Sequence, residues 1–223
     1  MVSGVTATIG VLALQGDFAL HRAALDRIGA ASIEVRRPGQ LDQVAGLIMP
    51  GGESTTLLKL LDTWDFVPAL EKFHAAGKPI FGTCAGLILL AREVRSPSQL
   101  SLDLIDVTVE RNAYGRQKES FETTGTADLG GGPVPLRMVF IRAPRILRIG
   151  LGVTPLGWRG DECVMAREGS VLVAAFHPEL TDEPTVHRYF AHMVEPPGEG
   201  RAPAGSGARP GAAAPENGTN RVI

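Results

Sequence analysis

Apolar residues in this chain fall into two spacings that alternate through its first half, short unbroken runs and helical repeats. The run Thr8-Ile9-Gly10-Val11-Leu12-Ala13-Leu14 has no polar alternation, which predicts a strand covered on both faces. Phe18, Leu25 and Ile28 then recur on one helical face that stops at Gly29. Residues 32–35 and 46–49 predict two more short strands, the second closed by Pro50-Gly51-Gly52. Glu53 or Ser54 caps a helix carrying Leu57, Leu58 and Leu61. Residues 68–76 predict a further helix, 79–81 a strand, and 87–91 part of another helix.

Strand, helix, strand in repetition implies an α/β fold: a doubly wound, mostly parallel sheet with helices on both faces. From 104 to 176 the pattern changes to strand-like runs between turns, including 105–109, 138–141 and 170–176, which predicts a small mixed or antiparallel extension of the sheet. Residues 185–193 close the fold as a helix. After about Val194, Pro, Gly and Ala dominate and apolar periodicity ends. Such a stretch buries too little surface to offset its ordering entropy, so residues 1–194 are expected to form one domain and 195–223 a disordered tail.

Composition narrows the function classes. With 223 residues, 44% hydrophobic and 21% charged, the chain has the make-up of an ordinary globular domain, and a net charge of −2 gives no footprint for nucleic acid or anionic membrane. No apolar run approaches the roughly 20 residues of a membrane span. The start of the chain lacks the basic segment and apolar core of a signal peptide, so a cytoplasmic protein with reduced thiols is expected. Neither G-x-G-x-x-G nor a Walker sequence is present, and no internal repeat.

The two cysteines differ. Cys84 lies in Gly82-Thr83-Cys84-Ala85-Gly86, where a predicted strand gives way to a helix. Glycines on both sides of a strand-to-helix turn allow the sharp bend of a nucleophile elbow, and a helix N-terminus favours a thiolate. Cys163 has no such surroundings and reads as a small buried hydrophobe. Two cysteines so placed give neither a disulfide framework nor metal-ligand spacing.

Downstream, Phe176-His177-Pro178-Glu179 follows a predicted strand. In extended geometry His177 and Glu179 face the same side, so the carboxylate can fix the imidazole tautomer while the other ring nitrogen faces Cys84. His21, His74, His187 and His192 stand alone and are read as structural. Gly51-Gly52 after a strand offers unobstructed N–H groups for an oxyanion, Gly52 above all, and the N–H of Ala85 offers another. All three features fall at the carboxyl ends of strands, where open parallel sheets bind ligands.

These residues resemble the triad glutamine amidotransferases of class I, with their Gly-x-Cys-x-Gly elbow and His-Pro-Glu. More narrowly, Leu12-Ala13-Leu14-Gln15-Gly16-Asp17, Gly51-Gly52-Glu53-Ser54-Thr55-Thr56, Glu110-Arg111-Asn112 and Phe140-Ile141-Arg142-Ala143-Pro144 are similar to the glutaminase subunits of pyridoxal 5′-phosphate synthase. The resemblance runs from about residue 9 to 193. It implies hydrolysis of L-glutamine to glutamate and ammonia by Cys84, His177 and Glu179, without a metal or organic cofactor. It implies glutamine-binding roles for Gly51, Gly52, Glu53, Arg111, Ile141 and Arg142, the last two partly through backbone. The ammonia would pass to a separate PdxS-type synthase subunit in a large hetero-oligomer, which joins it to ribose 5-phosphate and glyceraldehyde 3-phosphate. Docking would govern activity, with the Gln15-Gly16 loop near the interface. Other readings of the same elbow are the glutaminase of another amidotransferase, a gamma-glutamyl hydrolase, and a non-catalytic regulatory binding module. The Arg111 stretch argues against the first two.

Overall fold

The computed structural model describes residues 7–111, 113 and 120–195. Residues 1–6, 112, 114–119 and 196–223 lie outside the described residues, and with them Asn112 of the Glu-Arg-Asn stretch and all but Glu195 of the expected tail.

The chain begins β1 (Ile9–Leu12), α1 (Phe18–Arg27), β2 (Ser32–Val35), β3 (Gly46–Met49), α2 (Ser54–Thr63), α3 (Phe66–Ala75), β4 (Ile80–Thr83) and α4 (Ala85–Leu90). It continues β5 (Ala91–Arg95), β6 (Ile105–Glu110), β7 (Phe121–Asp128), β8 (Pro133–Phe140), β9 (Arg145–Ile149), β10 (Thr154–Arg159), β11 (Glu162–Glu168), β12 (Val171–Ala174) and α5 (Thr185–Val194). Nine strands form one sheet in the order β2-β1-β3-β4-β12-β11-β10-β7-β8. The first five run parallel, and the other four add on antiparallel.

The polar periodicity is missing from β1, β3, β4 and β12 because every residue in them is buried. The connection β1-α1-β2 steps to one side of the sheet and β3-α2-α3-β4 to the other, so right-handed crossovers put α1 and the α2/α3 pair on opposite faces. α5 packs beside α1, and its Val194 fills the space left by Gly46, where a Cβ would come within 2.3 Å of Val194 Cγ2. Burying such an aliphatic or aromatic side chain contributes about 1.5–3 kcal/mol. No helix among the described residues is long and apolar enough to cross a membrane.

Three elements differ from the sequence expectation. β1 is shorter, spanning Ile9–Leu12, although the Ala13 N–H still donates to Val35 O of β2 (2.9 Å). The helix expected through Ala91 stops at Leu90, and Ala91 instead opens β5. The mixed extension is present as β7, β8, β10 and β11, but β6 and β9 from the same stretch join the earlier β5 in a separate three-stranded sheet. A run of apolar residues specifies a strand and leaves its pairing partner open.

Candidate active site

The order of strands reverses at β1 and β3, and β4 and β12 lie next in line. The segments leaving the carboxyl ends of these four strands meet at a pocket lined by Asp17, Gly52, Glu53, Ser54, Cys84, Ile88, Arg111, Ile141, Arg142 and His177. This is the crevice that a doubly wound sheet offers to ligands.

Cys84 is the single residue between β4 and α4, and it adopts φ 48° and ψ −100°. A side-chain-bearing residue at such angles costs about 1–3 kcal/mol, which the surrounding structure must impose. Its N–H donates to Ala174 O (2.9 Å) at the end of β12, and its carbonyl accepts from Ile88 N (3.2 Å) inside α4. The neighbouring glycines serve clearance, since neither has a positive φ. A Cβ on Gly82 would come within 2.7 Å of the Gly86 carbonyl carbon, and one on Gly86 within 2.2 Å of Met49 O. The bend falls on the cysteine, and the glycines let α4 fold back over β4 and β3.

Parallel pairing aligns Thr83 with Ala174, so the chain leaving β12 passes beside Cys84. His177 N–H donates to Val139 O (2.8 Å). Pro178–Leu180 is a 3₁₀ turn where extended geometry was expected, and the turn carries Glu179 back onto the imidazole. Nδ1–H of His177 donates to Glu179 Oε1 at 2.7 Å, while Nε2 is buried with no hydrogen-bond partner among the described residues. Burial alone would lower the His177 pKa, but contact with Cys84 and with Glu179 outweighs it and raises the value to about 11. Burial would raise Glu179, and the two histidines His21 and His177 instead hold it down at about 2. The arrangement favours an imidazolium between a carboxylate and a sulfur.

Gly51 separates the loop after β3 from this pair: a Cβ there would lie 2.4 Å from His177 Cε1 and 3.4 Å from Cys84 Cβ. Gly52 takes φ 151° and lies against the Gln15 side chain, whose Oε1 accepts the Glu53 N–H at 3.1 Å. Ala85 is fully buried as the first residue of α4, where N–H groups have no partner within the helix.

Glu53 caps α2 by accepting Thr56 N–H (2.9 Å), is bonded by the Thr55 hydroxyl, and pairs with Arg111 Nη2 at 3.5 Å. Partial burial opposes its ionisation, yet these donors and Arg111 hold the carboxyl below its ordinary value. The Arg111 side chain is only 10% exposed, and the residue lines the pocket. Ile141 and Arg142 follow β8, with Arg142 at φ 44° and the Ile141 carbonyl 3.9 Å from Cys84 Sγ.

The candidate catalytic, oxyanion and glutamine-binding residues therefore lie at or against one pocket. Cys163 lies elsewhere, in β11, its thiol pushed up to about 11 by burial. Sequence reasoning missed Asp17, which has a ligand atom within 4.8 Å of His177 and Glu179, and Gln15 as a support of the Gly52 loop. It also left His21 and His187 as isolated structural residues, whereas His21 Nε2 lies 3.3 Å from Glu179 Oε2. No local signal marks these positions, because their partners are remote in the chain.

Residues 11–196 match the model of the SNO glutamine amidotransferase family. The chain is 52% identical over 185 residues to the pyridoxal 5′-phosphate synthase subunit PdxT of Pelotomaculum thermopropionicum, covering 82% of this chain and 92% of that protein. It is 48% identical over 187 residues to the subunit of the same name from Thermotoga maritima, covering 84% and 99%. A crystal structure of a glutamine amidotransferase superposes with TM-score 0.78 at 46% identity, over 83% of this chain and 98% of that one. The PurLQS structure from Thermotoga maritima, at TM-score 0.64 and 15% identity over 84% and 98%, shares the fold.

Proposed function

The chain belongs to the SNO glutamine amidotransferase family, and from that premise we propose that Cys84, His177 and Glu179 hydrolyse the side-chain amide of L-glutamine. The protein is the glutaminase subunit of a pyridoxal 5′-phosphate synthase. The observation that carries the residue assignment is the buried His177–Glu179 pair at 2.7 Å, set across Gly51 from a cysteine held at positive φ.

Cys84 Sγ attacks the amide carbon, and the carbonyl oxygen takes the negative charge against the N–H groups of Gly52 and Ala85. His177 Nε2 gives its proton to the departing nitrogen, which leaves as ammonia, and a glutamyl thioester remains. His177 then removes a proton from water, the hydroxide adds to the thioester carbon, and collapse returns the thiolate and glutamate. Throughout, Glu179 keeps Nδ1 protonated and stabilises the imidazolium. Arg111 pairs with the substrate carboxylate, Glu53 holds Arg111 and the loop in place, and Gly51, Ile141 and Arg142 shape the wall by backbone.

The ammonia goes to a synthase subunit of the PdxS type, in a large hetero-oligomer. The support for a docking dependence is Gln15: it links the loop after β1 to the Gly52–Glu53 peptide, so a partner seated on that loop bears on the peptide next to the oxyanion donor Gly52 N–H. Mixed with L-glutamine and the synthase subunit, the protein is expected to release glutamate and ammonia in equal amounts. Absence of glutamate, or undiminished turnover by Cys84→Ala, sinks the assignment.

A further inference from the structure

Three buried side chains behind Glu179 take no part in the chemistry above. His21, on α1, places Nε2 3.3 Å from Glu179 Oε2 and 3.1 Å from Oγ1 of Thr83, the residue before Cys84. Its Nδ1 lies 2.9 Å from Nε2 of His187 on α5. His21, Thr83 and His187 have no solvent exposure, and the Phe81 ring stands edge-on to both imidazoles.

Proton accounting selects one arrangement. Glu179 Oε2 is buried without a hydrogen bond among the described residues and is faced at 3.3 Å by His21 Nε2, which itself bonds with Thr83 Oγ1. A carboxylate only accepts, so a hydrogen on Nε2 is the arrangement that suits this approach. Nδ1 of a neutral His21 is then an acceptor, and His187 must donate to it from Nε2. That leaves His187 Nδ1 as an unprotonated acceptor, and this atom has no hydrogen-bond partner among the described residues. The opposite tautomer would set a lone pair of His21 against the carboxylate. Burial disfavours the charged form of both rings and lowers their pKa, His187 to about 3, so His21 faces Glu179 as a neutral ring. The groups around it are Glu179 and His177 beyond β12, Asp17 just before its own helix, Thr83 before Cys84, and His187 on α5, on which Arg27 also acts.

We propose that His21 is a positioning residue: its Nε2–H, facing the second oxygen of Glu179 at 3.3 Å, keeps the first aimed at His177, and His187 sets the tautomer that makes this possible. The proposal rests on the triad reading above. Three elements that pack for other reasons, α1, α5 and the end of β4, thereby fix the carboxylate from behind. A core at this place needs no polar chain, since unpartnered polar groups cost free energy in an apolar setting. Without that N–H beside it, the carboxylate becomes more basic and is free to turn from the imidazole.

Two polar variants separate positioning from packing. In His21→Gln the side-chain amide nitrogen reaches the place of Nε2, whereas in His21→Asn it reaches only the place of Nδ1. The first readout is the pH dependence of Cys84 alkylation by iodoacetamide in the full-length chain, which needs neither glutamine nor synthase. The second is kcat and KM for glutamine in the complex with the synthase subunit. Because Glu179 would take up a proton at higher pH, His21→Asn is expected to move the acid limb of alkylation up by about one pH unit. It should lower kcat roughly ten- to a hundredfold while KM stays within about twofold. His21→Gln should follow the wild type in both. An alkylation profile in His21→Asn equal to the wild type, or equal losses in the two variants, overturns the proposal. Failure of the wild-type complex to make glutamate would instead sink the substrate reading, with the alkylation comparison still deciding the role of His21.

Discussion

Gly51 lies so close to His177 that a single added carbon would come within 2.4 Å of the imidazole Cε1. The glycine is required here by the side chain it faces, and its position between His177 and Cys84 makes it a gauge of how tightly the two are held. Gly51→Ala should displace the ring by a fraction of an ångström to an ångström, with a loss of kcat/KM of roughly a hundredfold and of stability of about 1–3 kcal/mol. Steady-state kinetics in the synthase complex together with urea unfolding test it, and wild-type turnover would contradict the geometry.

Glu179→Gln preserves the volume and an acceptor for Nδ1–H but removes the charge that supports the imidazolium. Turnover is expected to fall by roughly 10²–10⁴-fold, with glutamine binding little changed. A variant whose kcat matches the wild type would remove Glu179 from the mechanism.

Glu53 has two roles that substitution can separate. Glu53→Gln keeps an oxygen for Thr56 N–H and loses the charge facing Arg111, so thermal stability should hold while KM for glutamine rises several-fold. Glu53→Ala loses the cap as well, at about 1 kcal/mol. Equal stability of the two variants would show that the cap contributes nothing.

Arg111→Lys retains the positive charge but loses the planar fork. If Arg111 pairs with the substrate carboxylate, KM should rise roughly tenfold with kcat nearly constant. A fall in kcat alone would place Arg111 on the transition state instead.

Burial holds His187 down at about 3, helped by His21 and Arg27 and opposed by Glu179. The unfolded chain binds a proton near the ordinary histidine value that the fold refuses. Stability from this group is therefore complete above about pH 6.5 and declines as pH falls toward about 3, by up to about 1.4 kcal/mol per pH unit. His21, lowered in the same direction, adds to the slope. His187→Gln should flatten the dependence of urea unfolding between about pH 7 and about pH 5, and an unchanged slope would count against a neutral buried His187.

The sequence carried the parallel strands well because their burial on both faces leaves an unbroken apolar run, as in Ile9–Leu12 and Gly46–Met49. It carried the elbow because Cys84 and its two glycines are local neighbours, although the glycines provide room where a bend had been expected of them. It did not separate the strands of the extension into two sheets, since pairing between β5, β6 and β9 is a choice among remote partners.

Sequence alone thus determined the alternation of strands and helices, the Gly-Gly loop, the nucleophile turn and the His-Pro-Glu segment, each a matter of residues within a few positions of one another. Tertiary structure decided which of them meet. The parallel register of β4 with β12 sets Cys84 beside His177, a 3₁₀ turn returns Glu179 to the imidazole, and the packing of α1 beside α5 brings His21 and His187 to the back of that carboxylate. The hydrogen bonds of that last group join residues as far as 166 positions apart, a distance over which no periodicity in the sequence can signal contact.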